Sequence, residues 1–172
     1  MGVKLQAASG GSIELVPTNT ASNFTVTVPA ATVVMAIDGP AFSARNTANQ
    51  TGITNAVSTK VLFPSEDFDT NDCFLSSTFT PKVAGYYQIN ACLDIGYSVV
   101  GTALSRIYKN GSLNVYRTGV NGAALAEVYL TAAGLVYCNG TTDYIEIYVY
   151  MSTSSNIVYS GSTFSAAMVR SA

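Results

Sequence analysis

The densest run of acidic and amide side chains, Glu66, Asp67, Asp69, Asn71 and Asp72 around Phe68 and Thr70, comes closest to a site for chemistry. Asp67, Asp69 and Asn71 take the first, third and fifth positions of a calcium-loop pattern, in which alternate oxygens converge on one hard cation. That pattern then requires glycine at its sixth position and glutamate at its twelfth, and Asp72 and Thr78 stand there instead. The helical calcium motif therefore fails. A shared or surface calcium site remains as the alternative to a solvated turn that caps the next strand. Glu66 and Asp67 also offer the two carboxyls of glycoside hydrolysis, but that reaction needs them on opposite sides of a substrate groove. Adjacent residues on one loop do not supply that.

The remaining inventory is negative. The chain has no histidine, which removes imidazole bases, histidine triads and most transition-metal sites. No nucleophile elbow, phosphate loop or dinucleotide fingerprint occurs. Cys73, Cys92 and Cys138 are odd in number and far apart, fitting neither a disulfide framework nor a zinc knuckle, and such usage suits synthesis in a reducing cytoplasm. A net charge of −2 without a basic run leaves no electrostatic footprint for nucleic acid. No apolar run approaches the ~20 residues of a membrane span, and the amino terminus lacks a secretory apolar region. Gln6 stands where myristoylation would need Ser or Thr. Asn-x-Ser/Thr sequons at Asn23, Asn49, Asn110 and Asn139 are what chance yields in so Asn- and Thr-rich a chain. The expectation is a non-enzyme without a cofactor.

The elements that position these residues read as strands. Over residues 85–95, Tyr87, Ile89, Ala91, Leu93 and Ile95 alternate with Tyr86, Gln88, Asn90, Cys92 and Asp94, so each set occupies one face of a strand. The first set is apolar and must meet a core. The second contains no Lys, Arg or Glu, and a fully solvated face usually carries them, so it reads as an assembly or binding face. Composition agrees: only 10% of the chain is charged while 48% is hydrophobic, against about 25% charged in ordinary soluble domains.

Further strands are expected at 41–45, 59–63, 73–80, 103–109, 113–117, 125–138, 143–151 and 162–170. Asn110-Gly111 marks a tight hairpin, since both residues accept the positive φ of a type I′ turn, and Asn139-Gly140 reads the same way. Spacing of this kind, some eight to ten short strands, predicts a sandwich or barrel. In 143–151, Tyr144, Tyr148 and Tyr150 share a face with Glu146. That face reads equally as a contact surface or as tyrosine's preference for strands. Residues 1–36 read as an extension, with strands near 12–16 and 23–28, whose few apolar residues cannot bury a core alone. Residues 37–172 form the main domain.

Several segments carry a family resemblance. Ala41 to Arg45 resembles a first strand; Phe68-Asp69 followed by Phe79 and by Gly85-Tyr86-Tyr87 resembles an aromatic signature. Ile107-Tyr108-Lys109-Asn110-Gly111 resembles a conserved-type hairpin, Thr142-Asp143-Tyr144-Ile145 the start of the penultimate strand, and Thr163-Phe164-Ser165-Ala166 the closing strand. Over about residues 40–170 the chain thus resembles the complement C1q/tumour necrosis factor superfamily of jelly-roll trimers. Ala166 and Thr142 replace glycines of that pattern. Residues 5–30 resemble a segment found in bacteriophage tail-fibre and virion-appendage proteins.

The resemblance implies an all-β, roughly ten-stranded jelly roll with an extended arm, assembled as a homotrimer through the sheet holding the first, last and Gly-Tyr-Tyr strands. It places Tyr86, Gln88, Asn90, Cys92 and Asp94 at the trimer interface. The implied role is a trimeric phage fibre or tail appendage in the virion, made in the bacterial cytoplasm, with the arm joining other virion proteins. The head would contact a host-surface glycan or protein through loops 46–58, 96–102 and 152–160. Tyr97, Asn49 and Asn156 are the receptor-contact candidates, Tyr97 being equally readable as an aromatic lid on the core. A capsid-decoration protein is the alternative, and a secreted C1q/TNF-like ligand a further one. Neither nucleic-acid binding nor membrane insertion is expected.

Overall fold

A computed structural model describes residues 3–6, 10, 12–15, 39–122 and 125–172. The chain divides into two compact units, Met1–Val33 and Val34–Ala172. In the first, β1 (Val3–Gln6) and β2 (Ser12–Leu15) pair antiparallel, with Val3 opposite Leu15 and Gln6 opposite Ser12. The strand expected at 23–28 lies outside the described residues.

The second unit is a sandwich, without a helix among the described residues. Its strands are β3 (Ala41–Arg45), β4 (Thr59–Lys60), β5 (Ser65–Asp69), β6 (Phe74–Leu75), β7 (Thr78–Phe79) and β8 (Ala84–Tyr97), then β9 (Gly101–Lys109), β10 (Ser112–Gly122), β11 (Leu125–Asn139), β12 (Ile145–Met151), β13 (Ile157–Val158) and β14 (Thr163–Ser171). One sheet runs β11-β8-β14-β3-β5, with β13 also on β8; the other runs β10-β9-β12-β7-β6, with β4 also on β12. All pairs are antiparallel.

The core lies between the sheets and follows from alternation. Tyr87, Ile89, Leu93 and Ile95 of β8 face Ile107 of β9 and Ile145, Ile147 and Val149 of β12, all buried. At one end Phe42 stacks on Phe74 (ring centroids 4.4 Å apart) and meets Phe164 edge-on at 4.8 Å. Each such buried side chain contributes about 1.5–3 kcal/mol of transfer free energy. The buried Tyr87 ring keeps its hydroxyl satisfied by donating to the Val83 carbonyl at 2.7 Å.

Three local expectations are corrected. Residues 73–80 form not one strand but the hairpin β6–β7, turned by Ser76 and Ser77 at φ 52° and 59°. The tight turn is stabilised where the Phe63 N–H donates to the Ser77 hydroxyl at 2.7 Å. Asn139-Gly140 is not a two-residue hairpin, because β11 and β12 belong to different sheets. Asn139 Oδ1 instead accepts from the N–H groups of Thr141, Thr142 and Asp143, an Asx-type corner that carries the chain across the sandwich. β5, made of Ser65, Glu66, Asp67, Phe68 and Asp69, is a strand that its acidic composition concealed. Asn110-Gly111 does form the expected hairpin, with φ 53° and 73°.

Gly85 explains the start of the Gly-Tyr-Tyr strand: a Cβ there would lie 2.5 Å from the Arg170 carbonyl oxygen of β14. Only glycine lets the two backbones approach that closely.

Candidate interaction surface

The outer face of the β11-β8-β14-β3-β5 sheet gathers the five residues expected at a subunit contact. Along β8, Tyr86, Asn90 and Cys92 are exposed and Gln88 and Asp94 half-buried, while every intervening residue is buried. Register extends the face sideways. Tyr137, Leu135, Ala133, Thr131 and Tyr129 of β11 stand opposite Tyr86, Gln88, Asn90, Cys92 and Asp94 in turn. On the other side Thr163, Ser165 and Ala167 of β14 oppose Cys92, Asn90 and Gln88. The central rows therefore carry amide, hydroxyl, thiol and methyl groups and no formal charge. Gln88 Nε2 donates to Asn90 Oδ1 at 3.3 Å, so two of the amides already engage each other.

The two ends of the face differ. At one, Tyr86 and Tyr137 lie 5.4 Å apart, centroid to centroid. There Tyr86, Leu135, Val169, Arg170, Ser171 and Ala172 line a cavity of about 510 Å³. Leu135 and Val169 (58% exposed) present large apolar surface that core-facing residues of this size rarely show. At the other end Tyr129 is 63% exposed, and its hydroxyl donates to Glu127 beside Asp94. Burial pushes the Asp94 carboxyl above its ordinary range, and the Glu127 charge adds to it.

Sequence reasoning missed the β11 half of this face. Its alternation is weak: Ala133, Leu135 and Tyr137 point outward while Ala132, Val136 and Cys138 point inward, so both sets are apolar. The signal lay in Tyr129, Leu135 and Tyr137 being placed opposite β8, and pairing is not written locally.

The other candidates are placed elsewhere. Tyr97 is 4% exposed and belongs to the core, so its ring is not on offer to a sugar; the lid reading is the correct one. Asn156 is also buried, its Nδ2 donating to the carbonyls of Ile53 and Thr153. Both are corrected as receptor contacts. Asn49 is exposed, and its Oδ1 accepts from the Ser160 N–H at 2.9 Å.

Asp67, Asp69 and Asn71 do not converge. Asp67 accepts from Ser43 and pairs with Arg45 at 2.7 Å. Asp69 is turned into its own loop, accepting from the Phe74 and Asn71 N–H groups and the Cys73 thiol. Burial alone would raise its pKa, but these hydrogen bonds together hold it below the ordinary value. Among the described residues no three His, Cys, Asp or Glu side chains come together.

The tyrosine face of β12 lies on the opposite sheet. Tyr148 stacks on Tyr108 with centroids 4.1 Å apart, Arg106 sits 4.6 Å over Tyr150, and Lys60 bonds Glu146 at 2.7 Å. These rings and charges are spent on one another, which favours the structural reading of that face.

No protein-family model and no curated protein matches the chain. Solved structures do match. The globular domain of zebrafish complement 1qA protein superposes with TM-score 0.58 at 16% identity, over 77% of this chain and 99% of that one. The chain has the C1q/TNF jelly-roll fold. Eiger TNF from S. frugiperda gives TM-score 0.58 at 8% identity over 78% of this chain and 95% of that one. PRD1 vertex protein P5 gives TM-score 0.53 at 17% identity over 76% and 96%. At these identities the likeness is one of fold.

Proposed function

We propose that the chain is a structural subunit of a bacteriophage virion, in which three copies assemble through the outer face of the β11-β8-β14-β3-β5 sheet. The supporting observation is the uncharged run from Tyr86 to Cys92, flanked by exposed Leu135, Tyr137 and Val169. A lone subunit would leave that surface in water, and sister copies cover it. Residues 1–36 then serve as the attachment arm, in keeping with their resemblance to virion-appendage segments, and the similarity to a phage vertex protein supports a place on the particle. The head binds rather than turns over substrate. Its surface loops, which carry the exposed Asn49, Val99 and Val100, meet the host surface, and threefold repetition strengthens weak contacts by avidity.

Light scattering on the full chain tests the assembly: three times 18.0 kDa is expected, and a single 18.0 kDa particle at micromolar concentration overturns it. Fluorescent protein then tests the role. Labelling of host cells supports a fibre, whereas binding only to capsids that lack the protein makes it a decoration protein.

A further inference from the structure

We propose, resting on the trimeric reading above, that the Asp94–Glu127 pair makes assembly proton-linked, each copy taking up a proton as its outer sheet face is covered. Asp94 stands on β8 opposite Tyr129 of β11, whose hydroxyl donates to Glu127. Asp94 Oδ1 is buried without a hydrogen-bond partner. Among the described residues, the groups around the pair supply no counter-charge. Cys92 shares its face on β8, and the hydroxyl of Ser162, just before β14, accepts from the Asp94 N–H. Tyr159, between β13 and β14, donates its N–H to the Asp94 carbonyl.

Along the sheet, Arg45 of β3 stands opposite Thr163, which stands opposite Cys92. Its guanidinium is already 2.7 Å from Asp67 of β5. Counting these four groups, Asp94, Glu127 and Asp67 carry three negative charges against the one positive charge of Arg45, an excess of two per copy when all are ionised.

A threefold axis repeats each residue at one height, so the three Asp94–Glu127 pairs stand at the same level of the covered faces. Covering them removes water from carboxylates that already repel. Like charges brought together out of water do not all stay ionised, and the pair gains a proton. Asp94 is poised for this in the single chain, where burial first and Glu127 second already raise its pKa. Tyr129 is held up to about 12 by its hydrogen bond to Glu127 and remains a neutral donor throughout. The protonated pair is favoured in the trimer, so assembly strengthens as pH falls and weakens as it rises. With one proton per copy the association constant changes by up to about a thousand-fold per pH unit.

Sedimentation of the full chain over a dilution series at pH 5, 6, 7 and 8 reads this directly. Wild type is expected to dissociate at progressively higher concentration as pH rises. Asp94→Asn should be tighter at pH 8 with a slope at least halved, and Glu127→Gln should flatten the slope likewise. Where dissociation falls below the measurable range, guanidinium midpoints of the trimer at each pH carry the same comparison. A wild-type profile that is flat, that runs in the opposite sense, or that both variants reproduce overturns the proton linkage while leaving the trimer intact. A single-chain mass at every pH overturns the trimeric reading itself.

Discussion

Lys109 Nζ and Asp143 Oδ2 lie 2.8 Å apart at the point where the β9–β10 hairpin of one sheet meets the crossover into β12. Asp143 also accepts from Asn110 Nδ2 at 2.7 Å and from the Asn139 N–H at 3.0 Å. One carboxylate thus ties both Asn-Gly segments together, and Lys109 adds the Tyr137 carbonyl at 2.8 Å. Removing it as Asp143→Ala leaves the part-buried Lys109 ammonium with the Tyr137 carbonyl alone and takes the acceptor from the Asn110 amide and the Asn139 N–H, and should cost about 2–3 kcal/mol, somewhat less than breaking a fully buried pair. Guanidinium unfolding measures it, and a loss below half a kcal/mol would refute the keystone role.

The same group sets an acid limit. Burial raises the Asp143 pKa, but the hydrogen bonds from Asn110, Lys109 and Asn139 outweigh it, so its value falls below the ordinary carboxylate range. A depressed folded value means stability that is present above the unfolded value of about 3.9 and lost as pH falls through the folded one. Wild type should therefore lose stability below pH 4 faster than Asp143→Asn, the two converging towards pH 2 in thermal melts.

Gly85→Ala should destabilise by about 1–3 kcal/mol, because a methyl group 2.5 Å from the Arg170 carbonyl oxygen forces two backbones apart. Differential scanning calorimetry checks it, and an unchanged midpoint would mean that β8 and β14 pair less closely than found.

At the β6–β7 turn, Ser76→Asn should stabilise by about 0.5 kcal/mol, since Asn tolerates the left-handed backbone at φ 52° better than Ser. Ser77→Gly should not, although its φ is also positive, because the Phe63 N–H loses its hydroxyl acceptor in a buried site. Chemical denaturation of the two variants separates turn propensity from the lost hydrogen bond.

Asn90→Arg should dissociate the proposed trimer by placing an unpaired charge within the proposed contact, while Val100→Arg, in the exposed loop that crosses from one sheet to the other, should not. Thiol labelling gives an independent reading. Cys92 is exposed, whereas Cys73 and Cys138 are buried with thiols raised to about 12 and about 11, chiefly by burial. Asn90→Arg should react rapidly at one thiol per chain, and wild type, assembled as proposed, at none.

Much of the fold was legible in the chain itself. Alternation over 85–95 named the inward and outward residues of β8 one by one, and Asn110-Gly111 announced its hairpin, because side-chain direction and turn conformation are local properties. What local pattern could not carry was pairing. Asn139-Gly140 looks like the other Asn-Gly, yet β11 leads into the opposite sheet, a fact fixed only once both sheets close over the core. Tyr97 and Asn156 look like loop contacts in sequence and are buried because neighbouring segments fold across them. The candidate face divides likewise. Its β8 stripe follows from residue order alone, since a strand turns every second side chain the same way. The placing of Asp94 opposite Tyr129 with its partner Glu127, and of Tyr86 opposite Tyr137, was decided by tertiary structure, because antiparallel register is set by hydrogen bonds between segments about thirty to fifty residues apart.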